Sequence, residues 1–152
     1  MLEIRELCEN LIQIIDDCLL PNAESDYDQV FYLKMKADYY RYLAELILED
    51  NLEEIINKAQ ESYQEAQNLA EGNLPVTHPL RLGVMLNLSV FIYDIKQEER
   101  TAHDIAEKTF NHAISKIDVI NEEDYKDSSL ILQLLRDNMT LWKSEFPEAD
   151  DF

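Results

Sequence analysis

The chain has 152 residues, and its 13 Lys and Arg against 32 Asp and Glu leave a formal charge of −19. Hydrophobic residues make up 46% and aromatics 9%, enough apolar surface to offset chain entropy, which excludes a disordered acidic tail and makes one domain the natural count. Only 2 Gly and 4 Pro occur, too few turn-makers for a many-stranded β fold, and the negative charge disfavours nucleic acid or an anionic membrane as main partner while leaving room for a local basic pocket.

The period of the apolar residues predicts six helices. The first, about residues 2–20, carries Leu2, Cys8, Leu11, Ile12, Ile15, Cys18 and Leu19 and ends at Pro21-Asn22. Cys8 and Cys18 would lie roughly 15 Å apart on it, too far to bridge, and read as buried free thiols in a reducing cytosol. Glu3, Arg5, Glu6, Glu9, Asp16 and Asp17 rule out a secretory signal here. After Glu24-Ser25-Asp26 the second helix, about 27–48, shows Phe31, Met35, Tyr39, Leu43, Leu46 and Ile47. The third, about 52–71, carries Ile55, Ile56, Ala59, Tyr63, Ala66 and Ala70, with Gly72-Asn73 as its expected C-terminal cap.

The stretch Leu74 to Pro79 is the clearest loop, with Thr77 or His78 preceding the fourth helix and Pro79 in its first turn. That helix, about 79–96, shows Leu82, Leu86, Val90 and Tyr93. The fifth, about 98–118, shows Ala102, Ile105, Ala106, Phe110, Ala113, Ile114 and Ile117, and Asn121 to Asp124 separate it from the sixth, about 126–144. The expected fold is all-α, six antiparallel helices stacked in sequence order. A single helical domain at 1–144 precedes an acidic tail at 145–152. No apolar run reaches the roughly 18–20 residues of a membrane span. The sequons at Asn87 and Asn138 fall mid-helix in a chain read as cytosolic and are discounted.

Enzyme chemistry lacks its parts. The histidines are His78, His103 and His112, with no H-E-x-x-H or E-x-x-H pair, so no zinc or di-iron ligand set exists and no cofactor is expected. Glu99 and His103, four apart on one face, read as a surface ion pair. Two separated glycines cannot build a phosphate loop.

Two segments carry more specific chemistry. In the second helix Lys34 and Arg41 are seven residues apart, within about 20° on a helical wheel, with Tyr42 nearby. An ammonium, a guanidinium and a phenol on one spot suit a phosphate dianion, and Asp38 stands where it can hold both cations. The same spacing also reads as ordinary Lys34–Asp38 and Asp38–Arg41 helix pairs. In the sixth helix Leu130, Leu134 and Leu141 form a stripe with Asn138 beside it; in the fourth, Leu86 and Val90 do so with Asn87. Asn is a poor helix former, so these amides fit a role in holding an extended peptide backbone. Core leucines with surface asparagines account for the spacing equally.

The second-helix segment, the run Thr77-His78-Pro79-Leu80-Arg81-Leu82-Gly83 with Leu86-Asn87, and above all residues 125–142 closely resemble the 14-3-3 family, from about Leu2 to Trp142. Departures are mild: Leu132 where Met is usual, Met139 where Leu is usual, Lys143 after Trp142, and Ala37 for a common Gly. The resemblance implies a non-catalytic, cytoplasmic adaptor in signal transduction that binds phosphoserine or phosphothreonine peptides of client proteins in an amphipathic groove. It implies Arg41, Tyr42 and Lys34 at the phosphate, and Asn87 and Asn138 at the peptide backbone. Leu86, Val90, Leu130, Ile131, Leu134 and Trp142 would form the apolar wall.

Residue 1 aligns partway along the fourth of the family's nine helices, so the resemblance covers about the C-terminal two-thirds of that fold. The missing third holds a Lys and an Arg that complete the family's phosphate site, and much of its dimer interface. Loss of two charge-assisted contacts would weaken binding by about 100-fold or more. An interaction protein with weakened or lost phosphate selectivity is the alternative function. Self-association is expected to cover the apolar faces of the first two helices.

Overall fold

A computed structural model describes residues 2–47, 51–119 and 121–145, and among these every regular element is helical, as the apolar periods require. The chain forms two compact units, divided between Asn73 and Leu74.

In the first unit, α1 (Leu2–Ile14) runs into a π-helical segment (Ile15–Leu19), followed by α2 (Asp26–Leu46) and α3 (Leu52–Asn73). Cys8, Ile12 and Ile15 are buried, but Cys18 is exposed, contrary to expectation. The wider π turn needs more residues to return to the same face. Three residues after Ile15 therefore fall short of the core. Lys36 Nζ reaches Asp16 Oδ1 at 2.7 Å and ties this segment to α2.

Ser25 starts α2 by accepting the Asp28 N–H on its Oγ at 3.1 Å, a cap worth about 1 kcal/mol. The helix buries Val30, Leu33, Ala37, Tyr40, Leu43 and Ala44, with Ile47 buried just beyond it. That row lies beside the one periodicity selected, since Phe31 is exposed and Met35 and Tyr39 are half-buried. Because α2 packs on both α1 and α3, it is apolar around much of its circumference, and no single stripe stands out. Opposite it, α3 presents Ala59, Ser62, Ala66 and Ala70, small residues that let the two axes approach closely, with Tyr63 as the one large buried side chain among them. The expected Gly72-Asn73 cap takes another form. Gly72 stays inside the helix without positive φ, and Asn73 Nδ2 donates back to the Leu69 carbonyl at 2.9 Å.

The second unit holds α4 (Pro79–Asp94), α5 (Glu99–Ile114), a 3-10 turn (Ile117–Val119) and α6 (Glu122–Glu145). His78 is the N-cap of α4, its Nδ1 accepting the Leu80 N–H at 3.1 Å, with Pro79 at the first helical position. Consecutive helices pack together and α6 also returns to α4, around Leu82, Val84, Leu88, Phe91, Ala102, Ala106, Leu132 and Leu135. α5 stops four residues before the expected 118, where the Lys116 N–H bonds the Ala113 carbonyl at 3.0 Å and the chain tightens. α6 begins four residues early. Asn121 Oδ1 accepts the Asp124 N–H at 2.7 Å, and Glu122, Glu123 and Asp124 occupy the first turn, where their charges favour the helix dipole. The acidic residues read as a separator are that helix's start.

Two side-chain ties fix the ends of α6. Ser128, fully buried, donates to the Thr77 carbonyl at 2.5 Å. At the other end Trp142 stacks on Tyr93, centroids 4.5 Å apart and planes 10° from parallel, and the Tyr93 hydroxyl donates to Glu145. Glu145, expected as the first tail residue, thus closes α6, and the rest of the expected tail, 146–152, lies outside the described residues.

Candidate functional site

The first unit gathers Lys34 and Arg41 around Asp38. Lys34 Nζ donates to Asp38 Oδ2 at 3.2 Å, and Arg41 Nη2 lies 3.6 Å from Asp38 Oδ1. Asp38 is buried on α2, so one carboxylate holds both cations. A third group completes the arrangement. The Tyr63 hydroxyl, from α3, donates to Asp38 Oδ1 at 2.5 Å and accepts from Arg41 Nε at 3.0 Å.

The electrostatics are consistent with that wiring. Burial, then the Asp38 charge, pushes the Tyr63 phenol far above its ordinary range, so it remains a protonated donor. Burial alone would lower the Arg41 pKa, but the Tyr63 oxygen and Asp38 outweigh it and raise it. Arg41 lies over the Tyr42 ring at 5.0 Å from its centroid, a cation–π contact, and Tyr42 remains 38% exposed. Arg41 Nη1 also stands 4.0 Å from Glu45 Oε1. Lys34, Arg41 and Tyr42 therefore share one patch of α2, with Asp38 as the predicted counter-ion.

Sequence reasoning named Tyr63 only as a core residue. The available signal was a phenol in a row of small side chains: a buried phenol must find a partner, and Ala59, Ala66 and Ala70 offer none from their side chains.

The second unit carries the leucine and asparagine residues. At 100° per residue, Leu130, Leu134, Asn138 and Leu141 fall within about 80° of one another on α6. Leu130 is 65% and Leu134 45% exposed, Ile131 and Asn138 are half-buried, and Leu132 and Leu135 fill the opposite, buried arc. On α4, Leu86, Asn87 and Val90 are half-buried. Trp142, expected on the apolar wall, is not brought onto that surface. It is 4% exposed, on the core arc against Tyr93, and supports the helix that carries the stripe.

His103 also differs from expectation. It is buried rather than at the surface, and its Nδ1 faces Glu107 Oε2 at 3.5 Å. The turn of α5 brings donor atoms of His103, Asp104 and Glu107 within 4.8 Å of one another. His103 and Asp104 stand four and three residues before Glu107, the ordinary neighbour spacings on one helix.

These features define an all-α protein of stacked helices, with a cation cluster centred on Asp38 and a separate leucine-and-asparagine face. The family described as 14-3-3 protein matches residues 1–143, and the chain belongs to it. It is 48% identical over 146 residues to 14-3-3 protein 8 of Solanum lycopersicum, covering 96% of this chain and 56% of that protein. It is 48% identical over 148 residues to 14-3-3-like protein 2 of Caenorhabditis elegans, covering 97% and 60%. With 14-3-3 protein beta/alpha of Bos taurus the identity is 47% over 143 residues, covering 94% and 58%. The chain thus spans between 56% and 60% of the length of these relatives. No described helix is long and apolar enough to cross a membrane.

Proposed function

We propose that the chain is a non-enzymatic, cytoplasmic adaptor that binds phosphoserine or phosphothreonine peptides of client proteins in an extended conformation. Arg41, Tyr42 and Lys34 meet the phosphate. Asn87 and Asn138 hold the peptide backbone, and Leu86, Val90, Leu130, Ile131 and Leu134 receive its apolar side chains, with Trp142 behind them. The observation that carries this reading is the pairing of Lys34 and Arg41 through a single buried carboxylate, which fixes two anion donors on one helix. Titrating one peptide with and without its phosphate, then repeating with Arg41→Ala, tests it. A phosphate-dependent affinity that Arg41→Ala abolishes is expected, and equal affinity for both peptides would refute it.

A second reading, an interaction protein with weakened or lost phosphate selectivity, draws on the same cluster. Two cations stand beside two carboxylates, Asp38 and Glu45, so an arriving dianion finds little net positive charge. The exposed Ile4, Leu7 and Ile14 of α1 favour self-association, and a compact monomer in concentrated solution by sedimentation would count against it.

A further inference from the structure

We propose that Tyr63 is the positioning residue of the anion site, presetting the Arg41 guanidinium so that it meets a phosphate end-on. The inference rests on the phosphopeptide reading above. A guanidinium can pair through its side edge, Nε with Nη2, or through its end, Nη1 with Nη2. Here the side edge is committed inside the protein: Nε donates to Tyr63 at 3.0 Å and Nη2 faces Asp38 at 3.6 Å. Nη1 faces only the Glu45 carboxylate, at 4.0 Å and beyond hydrogen-bond distance, so the end that carries it remains for a ligand.

Tyr63 holds this arrangement because it is fixed itself. Its side chain is fully buried, wedged in the alanine row of α3, and its hydroxyl is used in both directions. As a donor it takes up one lone pair of Asp38 Oδ1; as an acceptor it occupies Nε. Both bonds keep Arg41 and Asp38 from closing into a side-on bidentate pair. Without the hydroxyl, Asp38 would capture Nε and Nη2 together, and the guanidinium would swing toward the carboxylate. A phosphate would then compete against a complete internal salt bridge.

The experiment uses the full chain, Tyr63→Phe, Arg41→Lys and the double variant, with one phosphoserine peptide and its unphosphorylated form. Solvent exchange of the Arg41 Nε–H is followed by NMR. The wild-type Nε–H is expected to exchange slowly, and Tyr63→Phe to speed it. The same variant is expected to lower phosphopeptide affinity about tenfold, the effect of losing one such bond, while leaving the unphosphorylated peptide unchanged. In the Arg41→Lys background, which has no Nε donor, the change at Tyr63 should alter affinity less than twofold. A merely structural role predicts equal losses in both backgrounds and for both peptides, and that outcome would overturn the proposal. A wild-type Nε–H exchanging as fast as that of an exposed arginine overturns it without any variant. If the wild type does not distinguish the peptides, the phosphopeptide reading falls, while the exchange rates still decide whether Tyr63 positions Arg41.

Discussion

Ser128→Ala isolates one hydrogen bond that sets the position of α6. Ser128 is fully buried and Thr77 is 2% exposed, so no solvent replaces the hydroxyl that donates to the Thr77 carbonyl. Leaving a buried carbonyl without its donor costs about 2 kcal/mol. Alanine recovers about 0.5 kcal/mol as the better helix former, for a net loss of about 1.5 kcal/mol. In a chain of this size that corresponds to a melting temperature lower by roughly 3–6 °C. Ser129→Ala, one residue on and half-buried, supplies the control and should be neutral or slightly stabilising. Thermal unfolding followed by circular dichroism reads both. If Ser128→Ala melts within about 1 °C of the wild type, or Ser129→Ala falls as far, the loop bond is not what holds the start of α6. The tie bears on the proposed peptide-binding face, because Leu130, Ile131 and Leu134 follow within two turns of it.

Three further outcomes follow from backbone geometry and caps. Gly72→Ala should raise stability by about 0.5–1 kcal/mol, since Gly72 sits in the last turn of α3 and an added Cβ meets no atom within 4 Å; an unchanged urea midpoint would contradict this. Gln97 lies between α4 and α5 with φ of 57°, so Gln97→Gly should gain about 0.5 kcal/mol after its own entropy cost and Gln97→Val should lose stability. Burial holds the His78 pKa below its ordinary value despite the opposing charge of Asp124, and the neutral ring caps α4. The unfolded chain therefore binds the proton more readily, so this stability is fully present above the ordinary histidine pKa and is lost as pH falls toward the lower folded value. Urea unfolding at pH 7.5 and 5.5 should show a larger loss for the wild type than for His78→Asn, which caps without titrating.

The helices were legible wherever one face alone is buried. α3 reads directly from Ala59 onward, since Ala59, Tyr63, Ala66 and Ala70 all reach the core as their spacing predicts, while Ile55 and Ile56 at its start are half-buried. α2 does not, because contact with two neighbours removes the contrast between faces, and its buried row had to be seen. Cys18 was misplaced because one π turn breaks the 3.6-residue count on which the reading depended. The early start of α6 was written in Asn121, Glu122, Glu123 and Asp124, but acidic runs also mark loops. Within the site, local spacing on α2 supplied Lys34, Asp38 and Arg41. Tyr63 came from another helix, 22 residues beyond Arg41, and no periodicity along one helix reports a partner across an interface. Trp142 was drawn to the wall by resemblance, and its burial follows from the stack with Tyr93, another contact between helices.

The formal charge of −19 bears on how the proposed ligand arrives. At physiological ionic strength charges are screened beyond about 8 Å, so the acidic surface repels a phosphopeptide on approach while Lys34 and Arg41 act only at contact. Their positive charge is largely balanced by Asp38 at 3.2 and 3.6 Å together with Glu45 at 4.0 Å, which shortens their reach further. On the proposed function, the phosphate would therefore be recognised by fixed donors rather than drawn in by a positive field. Basic residues flanking the phosphate should then speed association and acidic ones slow it. Stopped-flow association at low and high salt tests this: added salt should slow a peptide with arginine flanks and accelerate one with glutamate flanks. The same salt response for both peptides would mean that the local cations, not the acidic surface, govern the encounter.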